Sequence, residues 1–140
     1  MKAFEIALLT SIAVQLYKGF TAWAWERRLN FRRFVETGGM PSSHSAAVAA
    51  LSTTVGIEEG VVTSLFGVTV FFSLIVMYDA AGLRRAAGRQ ATLLNQIVAE
   101  HENRALREKK LFELLGHTPL EVLVGALIGV GSALLLNRAL

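Results

Sequence analysis

Residues 61–78, VVTSLFGVTVFFSLIVMY, run for eighteen positions without a charge. At ~1.5 Å per residue a helix of this length covers most of the ~30 Å hydrocarbon thickness of a bilayer. Three further blocks resemble it. Residues 6–17 are uncharged and continue through Lys18 to Trp25; residues 40–57 are apolar or small; residues 122–136 carry no charge. The first block spans if Lys18 snorkels, and the last if residues 119–121 lie at the interface. Residues 41–57 give roughly 25 Å. With 53% hydrophobic residues, 18% charged and a mean hydropathy of +0.47, the 140-residue chain is too apolar for a soluble domain of its size. These blocks predict an all-α, polytopic membrane helical bundle, a single domain over residues 1–140 with about four transmembrane helices. Trp23 and Trp25 read as an interfacial belt, and the block before them lacks the small-residue pattern of a cleaved signal peptide.

Charge sets the orientation. Arg27, Arg28, Arg32 and Arg33 follow the first block, and Arg84, Arg85, Arg89, Arg104, Arg107, Lys109 and Lys110 follow the third. Lys2, Arg138 and the acidic pair Glu58-Glu59 fall to the other side. The positive-inside rule places both basic connections in the cytoplasm and both termini outside, in a multi-pass cell (inner) membrane protein. The net charge of +3 and pI of about 9.7 suit an anionic membrane surface. They do not suit nucleic acid, because few aromatic platforms interleave with the arginines. The chain has no cysteine, which excludes disulfides and thiolate chemistry. Residues 86–115 are the sizeable polar region. There Leu93, Leu94, Ile97 and Val98 recur at helical spacing beside charges, the pattern of a cytoplasmic amphipathic helix. His101 reads as a solvated residue of that stretch.

Two clusters carry chemistry. Gly38-Gly39-Met40-Pro41-Ser42-Ser43-His44-Ser45 precedes an apolar helix. Glycines allow close backbone approach, and Pro41 followed by serines suits the positive end of a helix, an anion pocket. His44 adds a proton donor, whereas an ordinary N-cap needs one serine and no histidine. The second cluster is Gly116-His117-Thr118-Pro119-Leu120-Glu121. His117 and Glu121, four apart, share a helix face. A carboxylate beside an imidazole orients it and raises its basicity, activating a nucleophile or base. The plainer alternative is a helix start with Glu121 in its first turn. Four spans bring Lys18, His44 and His117 to one membrane face, whereas a re-entrant second block scatters them. Two histidines, a carboxylate and cations suit phosphoryl transfer, which needs cations on the phosphate oxygens, an in-line nucleophile and a proton for the leaving oxygen.

The run from Gly38 to Ala46, Tyr78-Asp79-Ala80-Ala81-Gly82-Leu83-Arg84-Arg85 with Gly88-Arg89-Gln90-Ala91, and Leu115 through Val122 together resemble the divergent branch of the type 2 phosphatidic acid phosphatase family (acid phosphatase/vanadium haloperoxidase-related). The resemblance covers nearly the whole chain. It implies a nucleophilic His117, oriented by Glu121, and His44 as the acid that protonates the leaving group. Ser43 stands where the wider family has glycine, and Glu121 where it has aspartate. The family arginine six residues before the nucleophile falls on Leu111, and its lysine-to-arginine-proline motif is not reproduced after Lys18, position 25 being Trp25. The first two of six family helices have no counterpart. Lys18, Arg84, Arg85 and Arg89 are the candidates for the missing cations, with Gly39, Ser42 and Ser43 completing a substrate-binding set. Lys18 also reads as a snorkelling residue, and Arg84 and Arg85 as membrane anchors.

The resemblance implies catalysis without metal or other cofactor. Asp79, after an uncharged span and beside Arg84 and Arg85, reads as their ion-pair partner, the alternative being a catalytic or metal-binding role with Glu121. The expected activity is a phosphatase acting on a lipid phosphate monoester, of phosphatidylglycerol phosphate or phosphatidic acid type, with the site facing the cytoplasm. The alternatives are an undecaprenyl-type pyrophosphatase and a non-catalytic lipid-phosphate-binding scaffold. The expected partners are a phospholipid or polyprenyl phosphate and a second copy of the chain. A homo-oligomer would wall off the polar site from lipid, with Gly125 and Gly129 as its close-contact face.

Overall fold

The computed structural model describes residues 2–26, 39–100, 111 and 116–139. Gly38, the arginines at 27–33, the charged stretch with His101 at 101–110, and the side chains of Trp25 and Arg84 lie outside this set. Among the described residues the chain is all-helical. The helices are α1 (Lys2–Glu26), α2 (Ser43–Glu58), α3 (Ser64–Ala81), α4 (Leu83–Glu100) and α5 (Pro119–Ala139).

Local chemistry punctuates these helices. Ser42 caps α2, its Oγ accepting from Ser45 N at 3.3 Å. Gly60, at φ +90°, turns the chain towards α3 in a conformation that side chains disfavour. Thr63 caps α3, with Oγ1 accepting from Phe66 N. At Gly82 the chain breaks from α3 into α4, and the Gly82 N–H closes α3 on Tyr78 O at 2.8 Å.

The short helix α2 is central, packing on α5, α1 and α3. Its buried positions are small or hydroxylated: Ser43, Ser45, Ala46, Ala49, Ala50, Ser52 and Thr54, with Val48 and Val55. Small side chains let the helix backbones approach closely where lipid removes any hydrophobic drive for helices to associate. On α5, Gly125, Gly129 and Ala133 form one i+4 row facing α2, all buried. A Cβ at Gly125 would overlap the carbonyl oxygen of Ser42, and one at Gly129 that of Ala46. The glycine pair is thus consumed within the chain, which corrects its expected use as a contact between copies.

Polar contacts tie the helices together. Ser73 Oγ on α3 donates to Val48 O on α2 at 2.9 Å, and Asn137 Nδ2 on α5 donates to Thr54 Oγ1 on α2 at 3.2 Å. With Ser42 beside Gly125, Ala46 beside Gly129 and Thr54 beside Asn137, α2 and α5 run parallel. Lys2 Nζ reaches Asn137 O at 3.4 Å, so α1 runs antiparallel to α5. Helix α3 likewise runs antiparallel, since the backbone N–H of His117 meets Ala80 O near its end. The C-terminal ends of α1 and α3 therefore gather with the N-terminal ends of α2 and α5.

The large apolar side chains point outward. Phe4, Leu8, Leu9, Ile12 and Leu16 on α1, Phe71, Phe72 and Ile75 on α3, and Leu123, Leu127 and Leu135 on α5 are all exposed, while the buried cluster is Ile6, Ala50 and Ala133. An apolar exterior around a small and polar interior is the distribution expected in lipid, and the reverse of that in water. Two stretches have the length and apolarity to cross a bilayer: Ser64–Glu100, which contains α3 and α4, and Pro119–Ala139. Helix α2 has 16 residues, and α1 is diluted by Thr10, Gln15 and Lys18.

Candidate active site

The gathered helix ends hold the sequence cluster around His117. Thr118 and Glu121 form a reciprocal capping box at the start of α5: Glu121 N donates to Thr118 Oγ1 at 3.3 Å, and Thr118 N donates to Glu121 Oε2 at 3.2 Å. The same Oε2 lies 3.0 Å from His117 Nδ1. The two readings of Glu121, helix start and histidine partner, are therefore both realised by one oxygen. His117 is held at a second point by its backbone N–H on Ala80 O at 2.9 Å.

The pair dictates a tautomer. Against an ionised carboxylate, which only accepts, a neutral imidazole carries its proton on Nδ1 and its lone pair on Nε2. Nε2 is buried and has no hydrogen-bond partner among the described residues, in a residue 3% exposed. Lys18 arrives at the same end from α1. It is 8% exposed, its Nζ lacks a hydrogen-bond partner among the described residues, and it lies within Coulombic reach of Glu121. A buried cation and a buried lone pair without partners are costly unless something satisfies them. A phosphoryl group does both, offering oxygens to an ammonium and an electrophilic phosphorus to a nitrogen.

The first cluster is placed differently in detail. Ser42 is fully buried: its N–H donates to Glu121 O at 3.2 Å, its C=O accepts from Ala46 N at 3.0 Å, and its Oγ accepts from Ser45 N and Ser45 Oγ. It couples the α2 terminus to α5. Ser43 is buried and His44 half-buried in the first turn of α2, at that same end. Gly39 is exposed at φ +75°, with open space around it. Arg85 and Arg89 are exposed on α4, which packs on α3 alone among the described helices, so they are not brought against the pair. Among the candidate cations whose side chains are described, Lys18 is the one that lies near the pair.

Two positions escaped the sequence reading. Thr118 had a signal, the Thr-x-x-Glu spacing of a capping box. Ala80 had none, because it acts through a backbone carbonyl. Asn95 also clamps Leu111 by two 2.9 Å bonds to its backbone N–H and C=O, tying α4 to the approach to α5. Lys18 and His117 are buried within one chain.

Thr118→Ala separates the cap from the pair. Losing the hydroxyl should cost about 1 kcal/mol of stability, while the 3.0 Å contact of His117 with Glu121 persists. A thermal melt should shift down by a few degrees with turnover kept within severalfold. Complete loss of activity would show that the cap itself sets the histidine geometry.

The family described as Divergent PAP2 family matches residues 1–132. The chain is also similar to the uncharacterized membrane protein YuiD of Bacillus subtilis (strain 168), 45% identical over 140 aligned residues that cover 88% of each chain. No solved structure matches.

Proposed function

The chain belongs to the divergent PAP2 family, and on that premise we propose that it is a membrane phosphatase acting on a lipid phosphate monoester of phosphatidylglycerol phosphate or phosphatidic acid type. The observation that carries this reading is His117, fixed at Nδ1 by Glu121 with Nε2 left unpartnered. In the reaction, Nε2 attacks phosphorus, and the N–P bond forms as the P–O bond to the lipid alcohol breaks. His44, protonated, gives its proton to the departing oxygen. Glu121 stabilises the positive charge that develops on the ring, and Lys18 draws charge from the phosphoryl oxygens. Neutral His44 then takes a proton from water, whose oxygen attacks the phosphohistidine. The N–P bond breaks and inorganic phosphate leaves.

Four spans complete the proposal, with α1 and α2 joining the two apolar stretches. The shared end of the helices faces the cytoplasm, and α4 lies on the membrane surface. On α4, Leu83, Leu94 and Ile97 share one face with Gln90 among them, and Arg85 and Arg89 sit on the other side. Single cysteines introduced into this cysteine-free chain test the orientation. A membrane-impermeant reagent applied to intact cells should label a cysteine beside Glu58 and spare cysteines at Arg32 or Arg104. The reverse labelling would move the substrate to the outer leaflet.

One observation favours the non-catalytic reading. Leu111 occupies the place of the arginine implied by the family resemblance, with its backbone clamped by Asn95. Purified protein in mixed micelles decides between the two. Phosphate release from phosphatidic acid or phosphatidylglycerol phosphate is expected. Release from undecaprenyl pyrophosphate alone would move the reading to the pyrophosphatase, and binding without release from any of the three would make the chain a lipid-phosphate binder.

A further inference from the structure

Between α3 and α5 lies an apolar groove with a cavity volume of about 570 Å³. Leu74, Ile75, Met77 and Tyr78 form one wall, Val122 the other, and Ala81 and Pro119 close it at one end. That end adjoins the site. Ala81 follows Ala80, whose carbonyl holds the His117 N–H, and Pro119 lies two residues beyond His117. Leu74, Ile75 and Tyr78 are exposed, so the groove opens towards the lipid-facing surface.

We infer that this groove seats the phosphate-proximal part of one acyl chain of a diacylglycerol phosphate, delivering its headgroup to His117. The inference rests on the phosphatase reading for the choice of headgroup, and for the chain on the closed end of the groove, at Ala81 and Pro119, neighbouring Ala80 and His117. Residues 74–81 rise about 10 Å along α3. The walls thus hold a short stretch of hydrocarbon, and the rest of the chain continues into bulk lipid. Lipid tails are as apolar as leucine, so the groove gains little over the bilayer by transfer alone. Its contribution is position and shape, and occupancy is selected by the phosphate at the polar end. Two consequences follow. Selectivity depends on bulk near the ester and little on total chain length, and a lipid with the same chains but no terminal phosphate monoester competes poorly.

Photo-crosslinking tests this without relying on turnover. Phosphatidic acid with a diazirine on the proximal part of one acyl chain is incorporated into micelles with the full-length protein and irradiated. Labelling is expected on peptides from Ser64–Ala81 and Pro119–Ala139, several times denser than on the exposed face of α1. Excess phosphatidic acid should suppress it, and phosphatidylcholine with the same chains should not. Ile75→Trp fills the groove from an exposed position that tolerates bulk, and should cut the labelling at least fivefold. In turnover, the same variant should raise KM for long-chain phosphatidic acid about tenfold and leave hydrolysis of glycerol 3-phosphate unchanged. Labelling spread evenly over α1, or insensitive to Ile75→Trp, would overturn the groove. A diazirine polyprenyl phosphate that labels it in preference to phosphatidic acid would overturn the acyl assignment. Groove labelling without phosphate release refutes the phosphatase reading alone, and phosphate release without groove labelling refutes the groove alone.

Discussion

Replacing His117 with alanine is expected to lower phosphate release by roughly 10³-fold or more, because a covalent nucleophile has no substitute in tighter binding. The variant should fold. The His117 side chain makes one hydrogen bond, to Glu121, and the Glu121 carboxylate keeps its capping bond to Thr118 N. Glu121→Gln should leave a residual rate roughly 10²-fold below the parent. An amide retains a hydrogen-bonding oxygen for the cap but cannot stabilise positive charge on the ring. The two variants therefore separate in rate while their melting temperatures stay close. Acid quench during turnover should trap phosphate on the parent protein and none on His117→Ala. Parental turnover in His117→Ala would remove the nucleophile assignment.

The second large effect lies in the packing. Gly129→Leu is expected to prevent assembly of the bundle, because the added carbons meet the Ala46 carbonyl and Ala49 Cβ of α2 rather than a side chain that can swing away. Gly129→Ala should cost about 1–3 kcal/mol, the usual range for overpacking, and Gly125→Ala a similar amount. Gly125→Ala should also depress turnover beyond its effect on stability. The carbonyl it displaces belongs to Ser42, whose N–H is bonded to Glu121 O. Thermal melts in detergent, read beside turnover at a temperature where both variants are folded, check the two effects. Detergent-corrected mass adds a control: α5 packs on α2 through these glycines within one chain, so the alanine variants should leave the oligomeric state of the parent unchanged. Wild-type stability in Gly129→Leu would contradict the close α2–α5 contact.

The chain's own pattern determined much of this protein. Uncharged blocks at 61–78 and 122–136 announce helices apolar enough to cross a bilayer, and the block at 6–17 a further helix, because the length of a block and its lack of charge are local properties. The His117–Glu121 pair was legible as a short-range contact, but not by the shared helix face its spacing suggests: His117 stands before α5, and Glu121, in the first turn, reaches back past the Thr118 cap to meet it. Family membership was legible in the motifs at 38–46, 78–91 and 115–122. Tertiary structure decided what depends on which helix lies beside which. The row Gly125–Gly129–Ala133 is compatible with a partner copy or a neighbouring helix, and only the placement of Ser42 and Ala46 against it assigns it to α2. Ser42 and Ser43 read as ligand groups from composition, and the fold gives Ser42 a structural task that composition does not show, capping α2 through Oγ and joining it to Glu121 through its N–H. Lys18, Arg85 and Arg89 are equivalent cations in a sequence. Lys18 is set apart by the antiparallel course of α1 past α5, which buries its ammonium near Glu121, while α4 departs from the bundle and keeps Arg85 and Arg89 in the open. Helix pairing is a sum of weak contacts between residues distant in the chain, and no local pattern encodes it.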